Sequence, residues 1–289
     1  MANTITLKRR IGSIKNTRQI TKAMELVSSS KLRRAQRQAQ ASRPYREAAY
    51  GLLARLSVIH EVEQHPLFRK RPVKKRLYVV ITSSTGLAGA YNANVLKLLT
   101  QAIRQDKADK VKSSVITIGN KGVQFVRRLP EVELVGHYQA FGDEPTERDI
   151  QPILNTVIAS YKDEEVDEVR LLYTVFKSSI AQEATNMALL PASVSSDEAA
   201  KMDGLMNFEP DVEEVINQVA ARLFQAQIWQ ALLESLASEH AMRAMAMKNA
   251  TDNANELIGD YTIEYNTARQ AAITQELAEI TGGAEALNG

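Results

Sequence analysis

The apolar positions of the N-terminal segment recur at the spacing of an α-helix. Steps of three and four residues place each apolar group on one helical face, so the pattern predicts a helix over residues 3–57. The steps slip between groups, which indicates that the apolar face drifts instead of keeping a strict heptad. Pro44 should kink this helix or remove one of its hydrogen bonds. The groups are Leu7, Ile11 and Ile14; Ile20, Met24 and Val27; Leu32, Ala35 and Ala39; and Tyr45, Ala49, Leu52 and Leu56.

The period of the pattern changes after a basic, proline-containing linker at residues 58–75. Short apolar runs typical of strands then alternate with segments of helical pattern. This alternation predicts a mostly parallel sheet covered by helices. A further edge strand is expected at residues 181–190. The predicted strands are 76–83, 113–119, 132–138 and 168–176, and the predicted helices are 94–106, 121–128 and 147–161.

The C-terminal segment predicts one very long helix. Residues 211–281 contain no proline and a single glycine, Gly259. Seventy helical residues would span about 105 Å, whereas a compact chain of this length has a diameter of about 50 Å. A helix that projects alone is poorly stabilised, so a partner helix is needed. The apolar stripe comprises Val212, Val215, Val219, Leu223, Ile228, Leu232, Leu236, Leu257, Tyr261, Tyr265 and Ala268.

The N-terminal helix has the length and the charge to be that partner. Residues 1–46 contain twelve Lys and Arg and one acid, Glu25, whereas residues 211–289 contain four Lys and Arg and twelve acids. The opposite charges favour packing of the two ends against each other, although two separately solvated faces would give the same charge pattern. Small side chains at residues 28–30, three serines, would allow the helices to approach closely or to cross.

These patterns predict an α/β fold combined with a long antiparallel two-helix coiled coil. The N- and C-terminal helices form the rod, and a Rossmann-like α/β domain is inserted between them. The predicted domains are a discontinuous shaft, residues 1–70 and 206–289, and an α/β domain with a mostly parallel sheet, residues 71–205.

Composition narrows the possible classes of protein. The 289-residue chain has no cysteine, which excludes disulfides, thiolate chemistry and the common structural zinc sites. No apolar run approaches the roughly 18 residues needed to span a bilayer. The first ten residues lack the apolar core of a signal peptide. A reducing, intracellular setting fits this composition.

The sequence contains no evident catalytic, cofactor-binding or metal-binding constellation. The segment TGLAGAYN, residues 85–92, follows a strand and precedes a helix, but its glycines fit neither common phosphate-binding pattern and no lysine is present. Its glycines are typical of a tight turn. The segment HEVEQH, residues 60–65, places its histidines five residues apart, so they do not share a helical face. We expect no cofactor and no metal.

Two ends and the middle turn carry a resemblance to a known family. NTRQITKAMELVSSSKLRRAQ near the start, ITSSTGLAGAYN in the middle, and SEHAMRAMAMKNATDNANELI with RQAAITQELAEITGGA near the end resemble the gamma subunit of F-type ATP synthase. The resemblance covers essentially the whole chain in the same order. It departs from the family at residues 242–247, where a methionine is shifted relative to the usual pattern.

The resemblance implies a mechanical function and no catalytic one. A gamma subunit is the central rotor shaft, present once among three alpha and three beta subunits. Its α/β domain, with the epsilon subunit, rests on the membrane c-ring. Proton flow turns the ring and the shaft, which drives the catalytic beta subunits through different affinities for nucleotide, and ATP hydrolysis drives the reverse. The partners implied are therefore these subunits, with membrane contact only through them and no nucleic acid.

The resemblance also implies a location and a set of contact residues. The family pattern begins within ten residues of Met1, which leaves no room for an organelle presequence, so we expect the cytoplasmic side of a bacterial cell membrane. The redox insert of photosynthetic relatives needs cysteine and is not expected. The implied contacts with the alpha and beta subunits are Met24 with the basic residues Lys22, Lys31, Arg33 and Arg34, then Arg243, and then Arg269, Gln270, Thr274 and Glu276.

Two alternatives are compatible with the residue patterns alone. The first is a nucleotide-binding α/β enzyme with helical arms, which the missing phosphate-binding lysine disfavours. The second is a coiled-coil protein that binds nucleic acid through its basic N-terminus, which the acidic C-terminal helix should oppose.

Overall fold

A computed structural model describes residues 4–56, 65–139, 141–142, 145–192 and 212–288 of the chain. Its long terminal helices, α1 and α5, confirm the two predicted ones, and α1 continues through Pro44. The five strands confirm the four predicted strands and the predicted edge strand to within two residues. The helices are α1 Thr4–Leu56, α2 Tyr91–Ala108, α3 Asn120–Val126, α4 Gln151–Lys162 and α5 Val212–Asn288; the strands are β1 Lys75–Ile81, β2 Lys112–Ile118, β3 Glu133–Tyr138, β4 Glu168–Phe176 and β5 Gln182–Leu190.

The five strands form one sheet in the order β3-β2-β1-β4-β5. Four strands are parallel and β5 is antiparallel to β4, as expected for an edge strand that follows a short connection. The chain leaves β1 toward β2 and β3 and later returns on the other side to place β4 beside β1. The topological switch point therefore lies between β1 and β4.

Alternate side chains of the central strand β1 face two different apolar layers. Leu77, Val79 and Ile81 are buried with α4 and with the first part of α5. Tyr78 and Val80 are buried with α2 and α3 on the opposite face. Because both faces are covered, the strand is apolar over five consecutive positions instead of alternating with polar residues.

Gly119, at the end of β2, has a backbone conformation that only glycine adopts easily. Its φ is +92°, and a Cβ atom there would lie 2.1 Å from the carbonyl oxygen of Thr82. This close approach lets the Thr82 hydroxyl donate to the Ile118 carbonyl and accept the Gly122 N–H, both at 2.9 Å. The glycine therefore fixes the start of α3 against the end of β1.

A polar network joins the strands at the amino end of the sheet. The fully buried carboxylate of Asp106 on α2 accepts from the Tyr78 hydroxyl at 2.7 Å and the Ser113 hydroxyl at 2.8 Å, and it pairs with Arg76. Arg76 also pairs with Glu168 on β4 at 2.6 Å. Burial raises the pKa of Tyr78 to about 12 against the opposing charges of Arg76 and Arg170. The network holds β1, β2, β4 and α2 in one register.

The chain divides into two compact units. We call them the helical unit, Met1–Ser28 with Arg243–Gly289, and the sheet unit, Ser29–Met242. Both terminal helices contribute residues to both units. The domain boundaries predicted from the sequence, near residues 70 and 206, stay a prediction; the second lies outside the described residues.

Candidate subunit-contact surface

Helix α1 presents a strict heptad seam, so the drifting apolar face predicted from the sequence is wrong. Ile20 and Val27, which the pattern placed on the inner face, are 61% and 54% exposed. Thr21 and Ser28, one residue further along, are buried in their place. The repeat of four and three is kept because polar residues occupy some of its positions. The seam residues, all buried or half-buried, are Leu7, Ile11, Ile14, Arg18, Thr21, Glu25, Ser28, Leu32, Ala35, Ala39 and Ser42.

Within the helical unit, α1 and α5 pair in antiparallel fashion. The Arg18 side chain donates to Asn255 at 3.2 Å, and the Arg10 guanidinium lies 6.0 Å from the centre of the Tyr261 ring. Contacting residue numbers rise on α1 as they fall on α5. The seam residues on α5 are Met247, Thr251, Ala254, Ile258, Tyr261, Tyr265 and Ala268, all buried or half-buried. The antiparallel coiled coil predicted from the sequence is thus confirmed.

Two buried hydroxyls meet within this pairing. The Thr21 and Thr251 hydroxyl oxygens lie 2.8 Å apart. Each also lies within hydrogen-bond distance of a carbonyl in its own helix, Arg18 at 3.0 Å and Met247 at 2.8 Å. Each hydroxyl has one proton, so one threonine donates across the interface and the other donates back to its own helix. This contact sets the register of the two helices.

Helix α5 continues past the end of the seam. Every described side chain from Arg269 to residue 284 is exposed. Ile273, Leu277 and Ile280 are 48%, 60% and 69% exposed and are spaced four and three residues apart, which places them on one helical face. An exposed apolar stripe of this kind marks an interaction surface. This stripe was not predicted, because it begins five residues after Ala268 and so falls out of step with the apolar stripe of α5, although its own spacing of four and three is visible in the sequence.

The predicted contact residues fall in both units. Lys22, Met24, Arg243 and the four C-terminal residues belong to the helical unit, whereas Lys31, Arg33 and Arg34 belong to the sheet unit. Met24 and Lys31 are half-buried and Arg243 is buried. The exposed members are Lys22, Arg33, Arg34, Arg269, Gln270, Thr274 and Glu276.

Local contacts restrain two of the exposed residues. The Lys22 ammonium lies 3.0 Å from the Glu25 carboxylate on the same helix, which partly offsets its charge. The Thr274 hydroxyl donates to the Gln270 carbonyl at 2.9 Å, so its oxygen can still accept a bond from a partner.

Arg33 also lines a cleft of about 530 Å³ in the sheet unit. Phe176 and Lys177 at the end of β4 form one wall, and Gln230 and Glu234 on α5 form another. Lys177 pairs with Glu183 on β5. Arg37 stands one turn from Arg33 and adds to the positive charge of the cleft. Within the sheet unit, α1 therefore presents basic residues beside this cleft.

The crevice where open α/β sheets bind ligands is occupied by helix α5. Such ligands bind outside the carboxyl ends of the strands at the switch point, here β1 and β4. Ser235 and Ser238 of α5 hydrogen-bond to the backbone of Thr174 on β4 at this position. On the β1 side, a Cβ atom on Gly89 would lie 3.8 Å from the Met242 carbonyl oxygen. This occupation argues against a nucleotide-binding site there.

Several hydrogen bonds in the turn of residues 83–92 are made within the turn itself. Asn92 accepts the Ser83 backbone N–H at 3.0 Å and donates to the Ser83 hydroxyl at 2.7 Å. That hydroxyl donates to the Thr85 carbonyl at 2.6 Å. Leu87 and Gly89 both have positive φ, as expected of a tight turn. The prediction that this segment forms a tight turn is confirmed.

The described part of the chain contains no cluster of three metal-ligating side chains. Of the HEVEQH segment, His65 is buried and its Nδ1 accepts the Leu67 N–H at 3.3 Å, while residues 60–64 lie outside the described residues. No helix within the described ranges has the length and apolar character to cross a membrane.

The described residues thus define an α/β protein that pairs its terminal helices and exposes an apolar stripe at the end of α5. Residues 3–287 match the protein family described as ATP synthase. The ATP synthase gamma chain of Xylella fastidiosa is 40% identical over 288 residues, 99% of this chain and 100% of the relative. The gamma chain of Macrococcus caseolyticus is 41% identical over 290 residues, again 99% of this chain and all of the relative.

A solved structure of an ATP synthase is also similar to this chain. The central stalk and c-ring structure of Tetrahymena thermophila mitochondrial ATP synthase contains a chain with a TM-score of 0.64 and 25% identity, covering 80% of this chain and 99% of that chain. The chain belongs to the ATP synthase gamma-chain family. Its function is that of a central rotor shaft, a subunit of ATP synthase that carries out no catalysis itself.

Proposed function

We propose that this shaft couples proton-driven rotation of a membrane c-ring to the conformational cycle of catalytic beta subunits, and that ATP hydrolysis drives the reverse. One observation carries the proposal. Helix α5 extends past its intramolecular partner and exposes Ile273, Leu277 and Ile280 along one face. An apolar face in water is unfavourable, and enclosure by a surrounding ring of subunits would remove it from solvent.

The C-terminal polar residues would act beside that apolar face. Arg269, Gln270, Thr274 and Glu276 are exposed on the same stretch of α5. We assign them polar contacts with the ring of three alpha and three beta subunits. Polar groups at the rim of an apolar contact fix its register more than they add to its affinity.

The basic face of α1 would meet an acidic loop of a beta subunit. Exposed Lys22, Arg33 and Arg34 supply the charge, and half-buried Lys31 and Met24 lie between them along the helix. Opposite charges steer such an encounter and disfavour wrong orientations. Exposed Ile20, Leu26 and Val27 add apolar area to the same stretch of α1. Arg243, buried on α5, would position this region instead of reaching outward.

The remaining partners are proposed from the family. One copy of the chain would serve each complex, its α/β sheet would bind an epsilon subunit and rest on the c-ring, and nucleic acid would have no role. The chain would touch the membrane only through these partners. It would lie on the cytoplasmic side of a bacterial cell membrane.

The test is to strip peripheral proteins from native membranes and follow this chain through size-exclusion chromatography. We expect it to elute with an ATP-hydrolysing complex at one copy per three alpha and three beta subunits. Elution as a free chain, or together with nucleic acid, would overturn the proposal while leaving the paired helices as structure.

A further inference from the structure

Helix α5 takes the place of a strand beside the carboxyl end of β4. Strand β1 pairs with β4 only as far as Val80 and Leu172, and it ends at Ile81. Strand β4 continues to Phe176, so among the described residues its backbone beyond Leu172 has no strand neighbour on that side. At Thr174 the gap is filled by side chains of α5.

Two serines bond both backbone groups of one residue. The Thr174 N–H donates to the Ser235 hydroxyl at 3.1 Å, and the Ser238 hydroxyl donates to the Thr174 carbonyl at 3.3 Å. Both serine side chains have no solvent exposure. The N–H and C=O of one strand residue point the same way, so the two serines must sit side by side on α5, as their three-residue spacing allows.

These bonds restrain the helix in a way that the surrounding apolar contacts do not. Leu232 and Leu233 are fully buried close to the serines on α5, but burial is not directional and resists a small turn or slide of the helix less than a hydrogen bond does. Hydrogen bonds weaken steeply when their angle changes. A step of one residue on a helix rotates a side chain by about 100° and shifts it by about 1.5 Å. Such a step would leave the buried N–H and C=O of Thr174 unsatisfied.

We propose that Ser235 and Ser238 are positioning residues that lock the rotational setting of α5 on the sheet. This inference rests on the proposed function, because a shaft transmits torque to the sheet unit only if α5 cannot turn in its seat. Further bonds to α5 lie before the serines along the helix: Gln225 donates to Glu147 at 3.1 Å, and Ser42 donates to Gln230 at 2.7 Å. Among the hydrogen bonds described above, only those of the two serines join α5 directly to the backbone of a strand.

The experiment is single-molecule rotation of the assembled catalytic complex. The chain has no cysteine, so Gln101→Cys, at an exposed position on α2, gives this chain one attachment point for a probe on the sheet unit. The catalytic head is immobilised, ATP is added, and the angular spread of the probe is measured at each pause. The Ser235→Ala/Ser238→Ala variant is compared with the parent chain and with Ser160→Ala. Ser160 is a buried serine on α4 and matches the change in chemistry away from α5.

We expect the double variant to rotate with an angular spread about two-fold broader than that of the parent, because two directional restraints are lost. Ser160→Ala should leave the spread unchanged even if it lowers the melting temperature. An unchanged spread in the double variant would overturn the inference and leave the shaft function intact. A parent probe that never rotates would overturn the shaft function instead, and the inference with it.

Hydrogen exchange provides a second test if the double variant does not assemble. In the full chain, Ser235→Ala alone should speed exchange of the Thr174 amide, because that amide donates to Ser235. Ser160→Ala should not. Equal Thr174 protection in the parent and in Ser235→Ala would contradict the lock.

Discussion

The side-chain hydroxyls of Thr21 and Thr251 lie 2.8 Å apart in the buried seam between the two terminal helices. Each threonine comes from a different end of the chain, 230 residues apart. A coiled-coil seam usually places apolar residues at such positions, and a polar pair there specifies register at some cost in stability. The pair therefore fixes how far one helix slides along the other.

This relationship predicts a coupled response to mutation. Thr21→Val and Thr251→Val should each lower the free energy of unfolding by about 1 kcal/mol, because each leaves the other hydroxyl with one partner fewer. The double variant should cost less than the sum, since valine has nearly the shape of threonine and two valines would pack together. Urea denaturation of all four chains measures the coupling. Strictly additive losses would show that the two hydroxyls do not interact.

The backbone conformation of Gly119 predicts that alanine is poorly tolerated at this position. Gly119→Ala should lower the free energy of unfolding by about 3 kcal/mol, since its φ is +92° and its new methyl would meet the Thr82 carbonyl oxygen at 2.1 Å. Gly86→Ala is the matched control, because no atom of the described residues lies within 4 Å of its Cβ position and no positive φ is required there. Thermal denaturation compares the two. Equal losses would contradict the close approach of β1 and β2 at this turn.

The environment of Asp167 predicts that the folded chain loses stability in acid. Its carboxylate accepts the Lys74 and Lys75 N–H groups at 2.8 and 2.9 Å and pairs with Arg71 at 3.0 Å. Burial alone would raise the pKa of Asp167, but these donors outweigh it and hold the pKa below its ordinary value. The unfolded chain therefore binds a proton first as pH falls, so the stabilisation is full above about pH 4 and is lost below it.

The measurement is the free energy of unfolding as a function of pH. Asp167→Asn should be less stable than the parent at neutral pH, and the difference should shrink as the pH falls below about 4. Asp252→Asn, at an exposed position on α5, should follow the parent curve. A difference between Asp167→Asn and the parent that stays constant with pH would show that the lowered pKa does not contribute.

The exposed end of α5 predicts a defect in coupling without a defect in folding. Gln270→Ala with Thr274→Ala should weaken ATP-driven proton pumping or assembly of the complex, while the melting temperature of the isolated chain should stay unchanged. Both residues are exposed and their only described contact is within the same helix. Membrane vesicles carrying the variant, assayed by quenching of a pH-sensitive dye, measure the pumping.

A control pair on the same helix sharpens this test. Thr262→Ala with Asn266→Ala changes two exposed residues at the same spacing, within the stretch that pairs with α1. The control should pump normally. Normal pumping by the Gln270 and Thr274 variant as well would remove these residues from the proposed contact set.

The strands and helices of the sheet unit could be predicted because their local patterns and their burial agree. Residues 77–81 form an apolar run that is covered on both faces, which is the pattern a central parallel strand requires. An edge strand was also predicted at residues 181–190, and β5 lies there, half-buried over most of its length. The helix ends were predicted less accurately, and α4 begins at Gln151 instead of at residue 147.

The seam of α1 could not be predicted because apolar character was taken as the sign of burial. Ile20 and Val27 are apolar and exposed, while Thr21 and Ser28 are polar and buried. Under the proposed function these exposed apolar residues would face other subunits, and the sequence of this chain does not contain those surfaces. The same reason applies to the candidate contact residues, since their assignment depends on surfaces of partner chains.

The hydrogen bonds to the Thr174 backbone have a consequence for a chain that has not yet bound other subunits. Unpaired N–H and C=O groups on a strand offer a template on which another chain can add its own strand, and such growth leads to aggregation. Ser235 and Ser238 occupy both groups of Thr174 from within the molecule. A newly made chain is therefore protected from self-association at the place where β4 outruns its neighbour, before any other subunit has bound.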